Sequence, residues 1–320
     1  MALDPRFLAG NGREVFTGNE LLVKGCLEVD GGVHLMTGYP GSPVAGFFDI
    51  LGDINKLIQD NGIRAFQANN EALGAAAANG SQMLPCRAVV TMKSVGLHVA
   101  ADALALGTLA GANPEGGVVI ITGDDPWCDS TQVPADSRFL YEHLRIPVIE
   151  PGTPQELKDW INLAFKLSRS AGLYMGYIVT TAHADGGGTV MTHPNQFPTI
   201  NTKQRLALAT ATIPVERTVL LPPRTWQKEL GVADRFAVTL QTAREVGVNR
   251  MYPAAQSRLA PGKSPLGFIT TGMGKPYLDH VLADIGLLGQ FPVLNLGMSY
   301  PVDVAMVREF SETCKHMIVI

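Results

Sequence analysis

GGVVIITGD, residues 116–124, is an apolar run without polar alternation that ends in Thr, Gly and Asp. A strand with one wet face alternates; an unbroken apolar run marks a strand covered on both faces. Other segments share this character: GVHLMTGYP (32–40), CRAVVTM (86–92), RIPVIE (145–150) and GLYMGYIVTT (172–181). Helix-like stretches lie between them. Residues 97–109 are rich in Gly and Ala, and TPQELKDWINLAFKLS (153–168) has Thr153 placed to cap, Pro154 at the first helical position and apolar i, i+3, i+4 spacing. Buried strands alternating with helices predict an α/β fold with a doubly wound parallel sheet.

DGGGT (185–189) closes this unit, and the rhythm then fails. HPNQFPT (193–199) and LPPR (221–224) are irregular, and a polar amphipathic helix is expected around Glu229–Val246. A second α/β unit begins at SPLGFITTG (264–272) and continues through FPVLNL (291–296) to a last strand, HMIVI (316–320). The expected division is a first domain over 1–190, an extended linker with helices over 191–262, and a second, smaller α/β domain over 263–320. A domain seldom finishes on a naked strand. The chain is therefore expected to be the front part of a longer protein, with its last domain cut short.

Composition narrows the function. Of 320 residues, 46% are hydrophobic and 17% charged, as in ordinary globular domains, and the net charge of −4 with scattered Lys and Arg excludes a nucleic-acid binder. The longest apolar runs are strand-length, so no membrane span is expected, and the first residues do not resemble a signal peptide. A cytoplasmic protein follows. Cys26, Cys86, Cys128 and Cys314 stand far apart with no CxxC pair, so no metal site is expected from them.

The segment carrying the most chemistry is ANNEALGAAAANG (68–80). Glu71 opens a helix otherwise made of small residues, which allow close approach to another surface. A carboxylate at such a face is costly without a task or a partner. Taken alone, Glu71 reads more readily as an acid favoured by a helix N-terminus, where negative charge is commonplace.

Four further segments occur in order with it: TGYPGSP (37–43), TMKSVGLHVAADA (91–103), DDPWCDSTQ with DSR (124–138), and LRIPVIEPGTPQE (144–156). Together with LGFITTG (266–272) and YPVDVAMVREF (300–310), they resemble the alpha subunits of indolepyruvate:ferredoxin oxidoreductases. These belong to the thiamine diphosphate-dependent 2-oxoacid:ferredoxin oxidoreductases. The resemblance covers most of the chain and is weakest over about 190–262. It implies a pyrimidine-binding thiamin-fold domain followed by a domain of transketolase C-terminal type. It also implies oxidative decarboxylation of a 2-oxoacid of the indolepyruvate or aryl-pyruvate type to an acyl-CoA, with electrons passed to ferredoxin.

In that family a glutamate hydrogen-bonds a ring nitrogen of the cofactor's aminopyrimidine. The imino tautomer it favours removes the thiazolium proton and so generates the carbanion nucleophile. The resemblance assigns this role to Glu71, a carboxyl that must share a proton with a heterocycle in a dry interface. It places Tyr39, Pro40, Gly41, Lys93 and Gly96 around the cofactor and Ser42 near the substrate carboxylate. Arg138 is a candidate counter-ion for that carboxylate, since a guanidinium fork suits it. Read from the residues alone, Ser42 could cap a helix, Lys93 could be a solvated loop lysine, and Arg138 could pair with Asp136 or Glu142. The chain departs from the family pattern at Ser94, where His is usual, and at His98, where Asn is usual.

Thiamine enzymes hold the diphosphate through Mg²⁺ with a GDG motif and a later Asn. Here Gly123, Asp124 and Asp125 lack the third glycine, and Asn162 lies too far on, inside a helix. The diphosphate half, Mg²⁺ and the iron–sulfur clusters are expected from a missing region or a partner chain. The implied partners are a diphosphate-binding domain or subunit, a second oxidoreductase subunit, ferredoxin, coenzyme A and the 2-oxoacid, in an oligomer. Two other readings stay open: a subunit of a non-oxidative thiamine-dependent decarboxylase, and a non-catalytic assembly subunit of the same fold. A nucleotide-binding Rossmann protein fits poorly, because SRLAPGKS (257–264) lacks the first P-loop glycine and GMG (272–274) lacks the last of a dinucleotide fingerprint.

Overall fold

A computed structural model describes residues 3–204, 219–254 and 263–320. The P-loop-like stretch at 257–264 falls largely outside the described residues. Two main sheets and one two-stranded ribbon organise the rest.

The larger sheet contains β2 (Leu35–Gly38), β3 (Arg64–Ala65), β4 (Arg87–Lys93), β5 (Gly117–Asp124), β6 (Val148–Ile149) and β7 (Met175–Thr180), all parallel. Every residue of β5 is buried, as its unbroken apolar run requires. The strand order β6-β7-β5-β4-β2-β3 reverses direction between β2 and β4. The fold is thus the doubly wound α/β type expected.

Helices cover both faces of this sheet. On one lie α1 (Gly18–Leu27), α2 (Gly46–Asp53) and α7 (Pro154–Ala171); Leu22, Phe47, Ile161 and Phe165 fill that core. The other carries α4 (Glu71–Ser81), α5 (Ser94–Ala110) and α6 (Arg138–Leu144), over Ala75, Val90, Leu104 and Ile120. A short α3 (Asn55–Asp60) lies between β2 and β3. α7 begins as its sequence directs: Thr153 and Glu156 exchange side-chain and backbone hydrogen bonds in a capping box, with Pro154 in the first turn.

Beside the sheet, β1 (Arg13–Thr17) pairs antiparallel with β8 (Gly187–Met191), which follows α8 (Thr181–Asp185). The side chain of Lys24 is fully buried next to this ribbon. Its ammonium donates to the carbonyls of Phe7 and Ala9 and to Asn195 Oδ1, and lies 3.3 Å from Glu28 Oε1.

The stretch expected as a linker is more structured than its composition suggests. It holds α9 (Arg224–Leu230), α10 (Val232–Glu245) and β9 (Asn249–Tyr252). β9 pairs antiparallel with β11 (Val293–Leu296) and so belongs to the second sheet, in the order β13-β10-β11-β9. Here β10 (Ser264–Thr270) runs parallel to β11 and to β13 (Cys314–Val319), with α11 (Gly274–Asp284) and α12 (Val304–Ser311) in the connections. The last strand is an edge strand with mostly exposed residues. A further strand, β12 (Met298–Tyr300), leaves the second sheet and pairs antiparallel with β6, at the edge of the first.

No helix among the described residues is long and apolar enough to cross a membrane.

Candidate active site at the reversal point of the first sheet

In doubly wound sheets, ligands bind beyond the carboxyl ends of the strands where the strand order reverses, because the connecting helices leave a crevice there. In this chain that point lies between β2 and β4. Tyr39, Pro40, Gly41 and Ser42 follow β2; Lys93 ends β4; Gly96 lies in the first turn of α5; Glu71 begins α4, which packs on both strands. The fold brings these seven candidates to one edge of the sheet.

Close packing sets their geometry. Gly38 has φ +137°, and a Cβ there would sit 1.9 Å from the Thr91 carbonyl oxygen, so only glycine lets β2 turn this close to β4. A Cβ on Gly74 would come within 2.9 Å of Gly38 Cα, which lets α4 press onto the turn. On Gly96 it would lie 2.5 Å from Glu71 Oε1 and 2.6 Å from its Cγ. The absent side chain of Gly96 is thus the space that the Glu71 side chain occupies. Asn70 caps α4 by accepting from the Leu73 amide, which leaves Glu71 free of that duty.

Glu71 is 8% exposed, yet among the described residues no donor or cation is bonded to its carboxylate. It lies beside the first turn of α5, whose cap position, Lys93, contributes no side-chain hydrogen bond. Lys93 lays its aliphatic stem against Gly41, where a Cβ would meet Lys93 Cγ and Cδ at 2.8 Å. Ser42 does not cap a helix: Ala45 holds the cap position of α2. Leu73, Val95 and Val99 expose apolar side chains on α4 and α5 close to Glu71.

Arg138 stands apart. Its guanidinium donates to both Glu150 oxygens, at 2.8 and 2.9 Å, and to Asp136, next to β6 rather than the reversal point. Of the partners read from its neighbourhood, Asp136 is one and Glu142 is replaced by Glu150. The acids of the GDD segment are engaged as well. Asp124 accepts from the amide and hydroxyl of Ser137, and Asp125 from the amides of Asp129, Ser130 and Thr131. Burial pushes the Asp124 carboxyl up to about 6, against the lowering effect of the Ser137 hydrogen bonds. Among the described residues, Glu28, Asp159 and His193 have metal-ligand spacing, but Lys158 bridges the two carboxylates.

No family model matches the chain. Indolepyruvate oxidoreductase subunit IorA of Methanothermobacter thermautotrophicus is 30% identical over 330 residues, covering all of this chain and 48% of that protein. The IorA of Archaeoglobus fulgidus is 28% identical over 312 residues, 97% of this chain and 47% of that one. The chain is a relative of the IorA subunits. It spans about half the length of the IorA proteins it matches. The 2-oxoglutarate:ferredoxin oxidoreductase of Magnetococcus marinus superposes with a TM-score of 0.65 over 96% of this IorA-related chain and 57% of that one, at 16% identity. The two share a fold.

Some site features escaped the sequence reading. Thr37 and Thr91, in β2 and β4 at the reversal point, have buried hydroxyls without a hydrogen-bond partner. Asn19, from α1, donates to the Pro43 carbonyl and so ties the Ser42 loop down. A hydroxyl within an otherwise apolar buried strand was the available signal for the threonines.

Proposed function

We propose that this chain supplies the pyrimidine-activating half of a thiamine diphosphate-dependent enzyme. The enzyme oxidatively decarboxylates a 2-oxoacid of the indolepyruvate type to an acyl-CoA and passes the electrons to ferredoxin. In this reading residues 1–190 are the pyrimidine-binding domain and residues 263–320 belong to a domain of transketolase C-terminal type. The carrying observation is the buried, unpartnered carboxylate of Glu71 laid across Gly96 at the reversal point of the sheet. The kinship with IorA subunits supports the choice of chemistry.

The residues fit the cofactor's aminopyrimidine. Glu71 would offer one carboxylate oxygen to a ring nitrogen of the bound cofactor and share a proton with it. Gly96 keeps the side chain's space open. Tyr39, Pro40 and Gly41 form the adjoining loop, and Lys93 is braced against it by its stem. When bound, thiamine diphosphate supplies a nucleophilic carbon for attack on the 2-oxo group and takes up the electron pair that decarboxylation releases. Ser42 donates its hydroxyl to the substrate carboxylate. For Arg138 to act as counter-ion, its guanidinium must exchange Glu150 for substrate. The diphosphate, Mg²⁺ and iron–sulfur clusters are assigned to another domain or subunit, which the exposed Leu73, Val95 and Val99 face would receive. Coenzyme A, ferredoxin and the second oxidoreductase subunit belong to the assembled enzyme.

The test is Glu71→Gln in the assembled complex. Exchange of the thiamine C2 proton should slow by at least about 100-fold, the scale of a lost acid–base group, while circular dichroism and melting temperature stay near wild type. Exchange at the wild-type rate would refute the assignment. If thiamine diphosphate fails to bind even with a diphosphate-binding partner present, the chain is a non-catalytic assembly subunit. Turnover without any electron acceptor would mark a non-oxidative decarboxylase.

A further inference from the structure

Trp127 lies in the loop between β5 and α6, residues 125–137, and is 84% exposed, more than any other large apolar side chain described. The loop begins beside the candidate site. Gly123, near the end of β5, pairs in register with Lys93, one strand spacing of roughly 4.8 Å away. A Cβ on Gly123 would meet Pro43 Cδ at 2.8 Å, so β5 leaves the sheet against the Ser42 loop. Trp127 is thus carried at the same end of the sheet as Lys93 and Ser42, where doubly wound folds hold their ligands.

The loop is firmly anchored. The buried Asp125 carboxylate accepts from the amides of Asp129, Ser130 and Thr131 and from the Thr131 hydroxyl, at 2.7–3.0 Å. The Asp125 carbonyl accepts in turn from the amides of Cys128 and Ala135. Cys128, next to Trp127, has φ +59°, a conformation that residues other than glycine seldom adopt. The backbone here is therefore set by the bonds to Asp125 and not by local preference. Trp127 itself has neither a side-chain hydrogen bond nor a ring contact among the described residues. A single exposed leucine needs no explanation. A bare indole on an anchored loop at the ligand-bearing edge is different, because a rigid ring offers a large stacking face at little entropic cost.

We propose that Trp127 is a specificity residue of this site: its indole face stacks on the aryl ring of the 2-oxoacid and selects aryl over small alkyl substrates. A substrate whose carboxylate sits at Ser42 has the Trp127 loop as its neighbour on the β5 side. The assignment rests on the 2-oxoacid chemistry proposed for the Glu71 site and adds to it what reads the substrate's side chain.

Steady-state kinetics of the assembled enzyme with indolepyruvate, phenylpyruvate and pyruvate, together with exchange of the thiamine C2 proton, tests this. Trp127→Ala should lower the preference for either aryl substrate over pyruvate, as the ratio of kcat/KM values, about tenfold, the scale of a lost ring stack with its buried area. The loss should appear mainly in KM, Trp127→Phe should restore most of it, and C2 exchange should keep its wild-type rate. An unchanged preference, a Phe variant as poor as the Ala variant, or slowed C2 exchange in a folded Ala variant would each overturn the proposal. Failure of the wild-type complex to turn over any 2-oxoacid would instead overturn the reading of the Glu71 site, and this assignment with it.

Discussion

At the scale of single residues, the chemistry depends on space left by side chains that are absent. A methyl group on Gly96 has nowhere to go except into the Glu71 carboxylate, 2.5 Å away. Gly96→Ala should therefore cost about 1–3 kcal/mol, the usual range for overpacking, and should displace Glu71. Chemical denaturation would read the first effect; a loss of activity in the assembled enzyme beyond what residual folding explains would read the second. Wild-type stability and activity together would mean that the carboxylate has room to move. Glu71 stood out because an acid heads a helix of Ala and Gly. Arg138 did not resolve in the same way. Its partner Glu150 is twelve positions on, beyond the whole of α6, and nothing local announces that meeting. Thr37 and Thr91 were hidden for the same reason, since a threonine in an apolar strand reads as a strand former until its hydroxyl is seen to lack a partner.

Among elements, those with strong internal signals were readable in advance, and those that exist only through pairing were not. α7 announces itself by its capping box, and Thr153→Ala should cost about 1 kcal/mol, visible as a small fall in the denaturation midpoint. No change would show that the box is redundant. β5 is equally plain from its apolar run. By contrast, REVFT and GGTVM form the ribbon β1–β8 and alternate in burial, although neither alternates apolar with polar residues in sequence, and MSY is too short to suggest β12 at all. The junction of β5 with α6 carries a pH dependence. Asp124 titrates near 6 when folded and near 3.8 when unfolded, because burial disfavours its charge. Between those values the folded chain holds a proton that the unfolded chain has released. Stability from this group is thus full below about pH 4 and declines as pH rises to about 6. Asp124→Asn should abolish this decline, so that the variant gains on wild type by up to ~3 kcal/mol across the window. Parallel stability curves for the two proteins would show that Asp124 does not titrate there.

For the whole molecule, the two sheets are bound together in ways that a division by sequence does not reveal. The chain enters the second sheet at β9, inside the expected linker, then sends β12 back to pair with β6. Gly297 accepts a hydrogen bond from the Glu150 amide at that crossing. Arg244 of α10, which packs on α7, grips Asp303, the cap of α12. Urea unfolding should accordingly be one cooperative transition, seen alike by tryptophan fluorescence and far-ultraviolet dichroism. Two separated transitions would show that the sheets unfold independently. Lys24 carries a different lesson. Its ammonium is fully buried and donates to oxygens belonging to Phe7 and Ala9 as well as Asn195. Removing residues 1–9 would take away two of those oxygens and leave the ammonium to Glu28, Asn195 and the His193 carbonyl, so this short stretch helps clamp α1 to the segment that follows β8.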